Sequence, residues 1–283
     1  MHIAIHPTAR DFRARTQELL ERQEAANNLM LGITDILIHR PERFPRFHLV
    51  SVEDATDLRV AALMTPPNNL ILYSDAPDKE AMSILARHFF DQHIAVPGAI
   101  GMVEPVHTFA EAWTEIAGRT WSVAIHERAY ELRQVIPPVG VPGQMVVAGP
   151  EHRGTIIKWW NAFVAEALPG APQSSEAEEA SDRHIADKNM YFWVVEGVPV
   201  SMAAGPNRRT RHGGTVGPVY TPPEKRGHGY ASAVTAGVSQ KILDSGKAFC
   251  MLFTDLANPI SNRIYQKIGY RPVGDYDALN FAS

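Results

Sequence analysis

The chain has 283 residues, enough for one large domain or two ordinary ones. Its 45% apolar and 20% charged content is that of a soluble globular protein, and a net charge of −4 argues against nucleic acid as the main partner. Cys250 is the single cysteine, so an intrachain disulfide is excluded, and no apolar run approaches the ~18 residues of a membrane helix. The amino terminus lacks the basic start and apolar core of a signal peptide, so a reducing, cytoplasmic setting away from membranes is expected.

Residues 9–38 are predicted helical with a break near Asn27-Asn28; Leu19, Leu20, Leu29, Met30, Ile33 and Ile36 supply an inward face. Pro41 ends this helix, because proline disfavours helix at the residue before it. Short strands follow at 47–53, 58–64 and 70–74, with Pro66-Pro67-Asn68-Asn69 as the second turn. A helix at 77–92, a strand at 100–103, a helix at 107–117 and a long alternating strand at 121–135 complete the first half. Residues 137–143, stiff with proline and closed by glycine, read as a linker.

The second half begins with a strand at 144–148 and a helix at 150–167 carrying Ile156, Trp159, Trp160 and Phe163. The acidic stretch 170–182 is a solvated loop or a weak helix. Strands at 190–196, 198–205 and 213–221 precede a helix at 227–245, a strand at 248–254, a helix at 259–268 and a final strand at 270–280. The two halves share an order of elements, with no repeat visible at the level of residues.

The most informative stretch runs from Gly217 to Ala231. Val219, Tyr220 and Thr221 are strand formers, and Pro222-Pro223 ends the ladder because proline has no N–H to give. Ala231, Val234, Val238 and Ile242 then recur at helical spacing. Gly227 and Gly229 stand where that helix begins, after Lys225 and Arg226, so its first N–H groups are bare and can hold an anion such as pyrophosphate. The glycines alone suit a tight turn equally well. A dinucleotide fingerprint needs a third glycine, where Ser232 stands, and an acidic residue about 20 positions on, for which Asp244 comes too early. A nucleoside-triphosphate phosphate loop is absent as well.

Arg226-x-x-Gly229-x-Ala231 resembles the coenzyme A signature Arg/Gln-x-x-Gly-x-Gly/Ala of the GNAT superfamily of acyl-CoA-dependent N-acyltransferases. A second segment, Asn258-Pro-Ile-Ser-Asn262-Arg-Ile-Tyr265-Gln-Lys-Ile-Gly269-Tyr270, is similar to that family's last helix, and the two lie in the family's order and separation. The close match covers about residues 213–280. The element order of the whole chain resembles a tandem arrangement, as in glycine N-acyltransferase-like proteins. The resemblance implies a mixed α+β (α/β) fold of two GNAT-like domains. These are a degenerate one at 1–136 and a catalytic one at 144–283, each a twisted, mostly antiparallel sheet flanked by helices. A parallel, splayed strand pair would mark the coenzyme site of the second. Nothing in the first half matches Arg-x-x-Gly-x-Gly/Ala, so that half is expected to shape the acceptor site or an interface.

The resemblance further implies acetyl-CoA as acyl donor, no metal, and a small-molecule or peptide amine as acceptor. The backbone of Gly227, His228, Gly229, Tyr230 and Ala231 would anchor the pyrophosphate with Arg226 as cationic partner, while the side chain of His228 reads as that of an exposed turn residue ahead of a phosphate contact. The strand backbone at Val219, Tyr220 and Thr221 would pair with the pantetheine arm, Val219 also serving as packing, and Asn258 and Asn262 would line the cleft. Asn258 is in addition a helix N-cap, with Pro259 at the first helical position and Gly269 past the end. Ile260, Ile264 and Ile268 form the expected buried stripe of that helix, and Tyr265 beside it is the proton donor to the leaving thiolate or else a packed core tyrosine.

No carboxylate stands on 213–221, where many members carry a glutamate, so Glu224, Asp255, Tyr220 or a water chain remain open as base. Cys250, in an apolar strand, reads as packing; His2 and His6 have no partners for a metal, and hydrolase motifs are absent. Two functions of different class therefore stand: an N-acyltransferase, and a coenzyme-binding module without chemistry that acts in regulation or assembly. In either case the apolar first half can present a homodimer surface.

Overall fold

The computed structural model describes the chain apart from residues 56, 168–175 and 283 and the side chain of residue 176. In chain order the first elements are β1 (His2–Ile5), α1 (Ala9–Glu21), α2 (Asn28–His39), β2 (His48–Glu53), β3 (Leu58–Met64), β4 (Leu70–Tyr73), α3 (Lys79–Asp91), β5 (Gly98–Met102), α4 (Val103–Ala117) and β6 (Thr120–Leu132). There follow β7 (Gln144–Val147), α5 (Arg153–Ala167), α6 (Glu176–Ala186), β8 (Met190–Val195), β9 (Val198–Ala204), β10 (Gly213–Thr215), β11 (Val219–Tyr220), α7 (Tyr230–Asp244), β12 (Phe249–Asp255), α8 (Pro259–Lys267) and β13 (Arg271–Ala282). Contacts divide the chain into one unit of Met1–Ala129 with Val273–Ser283, and another of Tyr130–Pro272.

In the first unit β1, β2, β3 and β4 pair antiparallel in sequence order, β4 and β5 pair parallel, and β13 joins β5 antiparallel. Both faces are covered, which is why β3 reads as a nearly continuous apolar run. Val50, Val52, Val60 and Ala62 pack on Met82, Leu85 and Phe89 of α3 and Phe109 and Trp113 of α4. Leu49, Ala61 and Leu63 pack on Phe12 and Leu20 of α1 and Met30 and Leu37 of α2. The alternation of strand side chains sorts these two sets. Thr8 caps α1 by accepting from Asp11 N at 3.1 Å, and Asp78 caps α3 by accepting from Ala81 N at 3.1 Å.

In the second unit β7, β8, β9 and β11 form an antiparallel sheet, and β10 pairs parallel with β12. Ile156 and Trp159 of α5 pack on Phe192, Met202 and Tyr220. Val234, Val238 and Ile242 of α7 pack with Tyr191, Ala203, Cys250, Leu252 and Tyr265.

Several elements differ from the sequence expectation. β1 precedes the first helix and holds to β2 through pairs such as Ile3↔Val52, a partner no local pattern announces. The acidic stretch 170–182 lies partly outside the described residues, and from 176 onward it is helix α6. The strand expected at 213–221 is two, because it changes partner at Gly217. Residues 137–143 lie inside the second unit, where Pro142 O accepts the Trp193 indole N–H at 2.8 Å. The last strand, placed by the sequence in the second half, pairs with β5 of the first unit through Leu279↔Ala99. In α8 the expected stripe is broken: Ile260 is 72% exposed in the first turn, and Tyr265 and Ile268 are the buried residues.

Candidate functional site

The sequence motifs converge where β10 and β11 part from β12. β10 runs parallel to β12 as far as Thr215↔Met251, and Val216 N still donates to Met251 O at 2.9 Å. Gly217 N donates instead to Ala204 O at 2.8 Å, and Ala204 N donates to Pro218 O at 3.1 Å. Val219 and Tyr220 then lie opposite Ala203 and Met202. Among the described residues no pairing joins Leu252–Asp255 to β11, so the two strands diverge. Because Ala204 faces β11, alternation makes Met202 face it too and turns Ala203 towards β8. Val219, opposite Ala203, therefore points its N–H and C=O into the gap, while its side chain packs against the core beneath α7.

Beyond β11 the chain makes one short turn over Pro223–Lys225 and enters α7 at Tyr230, three residues later than the sequence suggested. The delay has a backbone cause: Gly227 and Gly229 both take left-handed conformations, with φ of 85° and 82°, which side-chain-bearing residues resist. Ala233 N makes the first helical bond, to Gly229 O at 3.0 Å. Among the described residues the N–H groups of Gly227, His228, Gly229, Tyr230, Ala231 and Ser232 have no protein acceptor. A left-handed pair of glycines opening a helix makes a concave run of donors suited to an anion, with the helix dipole in support. The anchoring set expected at 227–231 is thus brought together. His228 is exposed and stacks on Tyr230, with ring centroids 5.4 Å apart.

Arg226 is not left waiting for a ligand. Its Nε donates to Thr221 O at 2.9 Å, and its Nη2 donates to Glu166 Oε2 at 2.6 Å. The Tyr220 hydroxyl donates to Glu166 Oε1 at 3.3 Å, and the guanidinium lies 5.8 Å from the Tyr220 ring. Burial, then the Glu166 charge, raise the Tyr220 phenol above its ordinary range. Thr221 Oγ1 and Ser201 Oγ share a hydrogen bond at 2.7 Å, and Ser201 Oγ donates to Tyr220 O at 3.1 Å, fixing the strand. Sequence reasoning missed Glu166: it ends α5, and no local motif marks it.

On the other side of the gap, Asn258 Oδ1 accepts from Ser261 N at 3.0 Å, the cap that the sequence indicates. Asn262 donates to Asp255 O at 2.9 Å and Asn258 O at 2.8 Å. Both asparagines thus secure the end of β12 to α8. Tyr265 is 9% exposed, flanked by the Tyr130 and Tyr270 rings at 6.5 and 6.0 Å, and its hydroxyl has no hydrogen-bond partner among the described residues. Burial pushes its phenol up to about 12. Of the carboxylates considered as base, Glu224 is exposed, and Asp255 Oδ1 accepts from Ala257 N at 2.7 Å. Cys250 is fully buried, donates to Ser239 O at 3.2 Å and is pushed up to about 12 by burial, the behaviour of a packing residue.

In the first unit the turn between β4 and α3 is closed by side chains. Asp78 closes the α3 terminus, Glu80 stands in its first turn and Asp75 accepts from the Tyr73 hydroxyl at 2.7 Å. Arg22 pairs with Asp75 at 2.9 Å and Arg59 with Asp78 at 3.3 Å, so charged side chains engage one another at this turn. Among the described residues no group of three or more His, Cys, Asp or Glu side chains has the arrangement of a metal site, and no helix is long and apolar enough to cross a membrane.

Known proteins resemble the chain in part of its sequence and in its fold. Residues 194–277 match the family described as FR47-like protein, under a third of the chain. Among solved structures, an acetyltransferase from the GNAT family from Colwellia psychrerythraea is 14% identical with a TM-score of 0.58, covering 99% of each chain. A GCN5-related N-acetyltransferase from Sphaerobacter thermophilus is 18% identical with a TM-score of 0.62, covering 99% of this chain and 95% of that one. A third, from Kribbella flavida, is 16% identical with a TM-score of 0.53, covering 99% and 97%. At such identities the likeness is one of fold: the chain has the mixed α+β fold of these GNAT structures. No curated protein matches the chain.

Proposed function

We propose that the chain is an acetyl-CoA-dependent N-acyltransferase that moves an acetyl or other acyl group directly to the primary amine of a small molecule or peptide. The observation that carries this reading is the run of unpaired N–H groups from Gly227 to Ser232 beside diverging β11 and β12. The similarity of the fold to GNAT acetyltransferases and the FR47-like match support it. The reading takes the chain as a tandem protein of the glycine N-acyltransferase-like type. The second unit carries the site, the first is a degenerate copy whose carboxylate-closed turn is unfit for a diphosphate, and the setting is cytoplasmic. The apolar first half is the surface for a homodimer in this reading.

The donor, when bound, supplies an activated thioester. The amides of Gly227–Ala231 and the Arg226 guanidinium hold its diphosphate, and the Val219 backbone, with Tyr220 and Thr221 on either side, aligns the pantetheine arm. Asn258 and Asn262 set the opposite wall by fixing α8 to β12. Tyr265 gives its hydroxyl proton to the departing sulfur, the new amide nitrogen sheds a proton to solvent, and the phenolate recovers one from solvent. Burial keeps the phenol protonated, so its proton is in place when the thiolate forms. No metal is required.

Calorimetric titration with acetyl-CoA, followed by thiol release across a panel of amines, tests the proposal. Micromolar binding with amine-dependent release is expected. Binding with no release over a broad panel would favour the alternative, a chemically silent coenzyme-binding module, and no binding at all would end both.

A further inference from the structure

A stiff apolar segment borders the anion-binding turn. Residues 135–143 carry no polar side chain, and Pro137, Pro138 and Pro142 fix three of their φ angles. Both ends are pinned: Ile136 N donates to Ile268 O at 2.9 Å, and Pro142 O accepts the Trp193 indole N–H at 2.8 Å. Between these anchors Val139 is 94% exposed, and Ile136 itself is 57% exposed. A single exposed apolar side chain is ordinary, but a rigid run of them at the rim of a site asks for an occupant.

The place of this segment follows from the sheet. The strand order is β11-β9-β8-β7, so β11 and β7 are its two edges. The gap opens beyond β11, whereas the segment enters β7 beside β8, through Gln144↔Val194. α7 lies across the strands between, with Val238 packed on Ala203 of β9 and Tyr191 of β8, and Gly237 against Met145 of β7. The turn that opens α7 therefore has the gap on one side and the segment on the other. Their contact is direct, since Val141 Cγ2 stands 3.0 Å from where a Cβ on Gly229 would lie.

Resting on the coenzyme reading above, we propose that residues 136–141 seat the nucleotide end of the donor, with Val139 as the main contact to its purine. A linear donor that sends its thioester arm into the gap at Val219 and lays its diphosphate on Gly227–Ala231 carries its other end past the turn, away from the gap. There it meets Val141 and then Val139, which suit the face of a purine and offer nothing to a phosphate. The His228–Tyr230 stack, its centroids 5.4 Å apart, adds an aromatic surface on the same turn. Covering Val139 takes apolar area out of water, and the prolines have already stiffened the chain that presents it, so little ordering cost remains. The segment thus selects donors by their nucleotide and is indifferent to the acyl group.

The test uses Val139→Ser and Val139→Trp, titrated by calorimetry with free coenzyme A and with phosphopantetheine, which lacks the nucleotide. Val139 lies in solvent, so neither change should move the melting temperature. Val139→Ser is expected to weaken coenzyme A binding about three- to tenfold, and Val139→Trp to strengthen it about threefold. Phosphopantetheine affinity should stay within about twofold in both variants. Unchanged coenzyme A affinity, or equal changes with the two probes, overturns the seat. A shift in sedimentation of the free protein with coenzyme A affinity unchanged also overturns it, and assigns the segment to contact between copies of the chain. Failure of the unaltered protein to bind coenzyme A is a distinct outcome, which overturns the coenzyme reading and the seat with it.

Discussion

The Tyr130 hydroxyl donates to Asn262 Oδ1 at 2.9 Å, and through that bond the end of β6 is tied to the middle of α8. Every polar atom of the Asn262 amide is thereby engaged, since its nitrogen donates to Asp255 O and Asn258 O. Asn262→Ala removes all three bonds and leaves the Tyr130 hydroxyl with Gln266 alone, 3.1 Å away. A loss of roughly 1–3 kcal/mol in urea unfolding is expected. A stability unchanged within about 0.5 kcal/mol would show that the network does not hold α8 in place.

Tyr265→Phe separates chemistry from binding. The ring and its contacts with Tyr130 and Tyr270 persist, and only a hydroxyl without a protein partner is lost. Turnover is expected to fall at least about tenfold, with coenzyme affinity within about twofold and the melting temperature nearly unchanged. Undiminished kcat would assign Tyr265 to packing.

The two glycines of the turn should respond differently. Both have positive φ, so any side chain carries a cost of roughly 1–2 kcal/mol. Space adds to it only at Gly229, where a Cβ would lie 3.0 Å from Val141 Cγ2; nothing stands within 4 Å of one at Gly227. Gly227→Ala should therefore retain measurable coenzyme binding, and Gly229→Leu should abolish it. Equal losses from both would mean that the conformation alone matters.

Acid should weaken the fold through a buried imidazole. His184 is 1% exposed and its Nδ1 lies 2.6 Å from Asn189 Oδ1. Asn189 Nδ2 donates to Pro206 O, so Oδ1 faces the ring and Nδ1 carries the proton. Burial lowers the His184 pKa from 6.5. As pH falls through 6.5 the unfolded chain therefore takes up the proton first, and stability declines until the folded pKa is passed. His6, His48 and His88 are lowered by burial as well and act in the same sense. The urea midpoint should drop between about pH 7 and pH 5, and His184→Gln should flatten that slope; a midpoint independent of pH over this range would contradict it.

Much of the site was legible because its determinants are local. Asn258, Pro259 and Gly269 announce the limits of α8 by capping rules that act within one turn of helix. Gly227 and Gly229 signalled bare amides, although the sequence could not say that their left-handed conformations would delay α7 to Tyr230. Ile260 misled, since helical spacing records a stripe but not how far the core extends beneath it.

The sequence by itself determined the order of most elements after β1, the limits of α8 and the composition of the turn, since each depends on neighbours a few residues away. Tertiary structure alone decided that the chain changes partner at Gly217, that β13 completes the first unit, and that Arg226 meets a carboxylate 60 positions earlier. A strand's hydrogen-bonding edge looks the same whatever it pairs with, and a surface charge carries no mark of its counter-ion. Those choices are made only when distant segments are packed together.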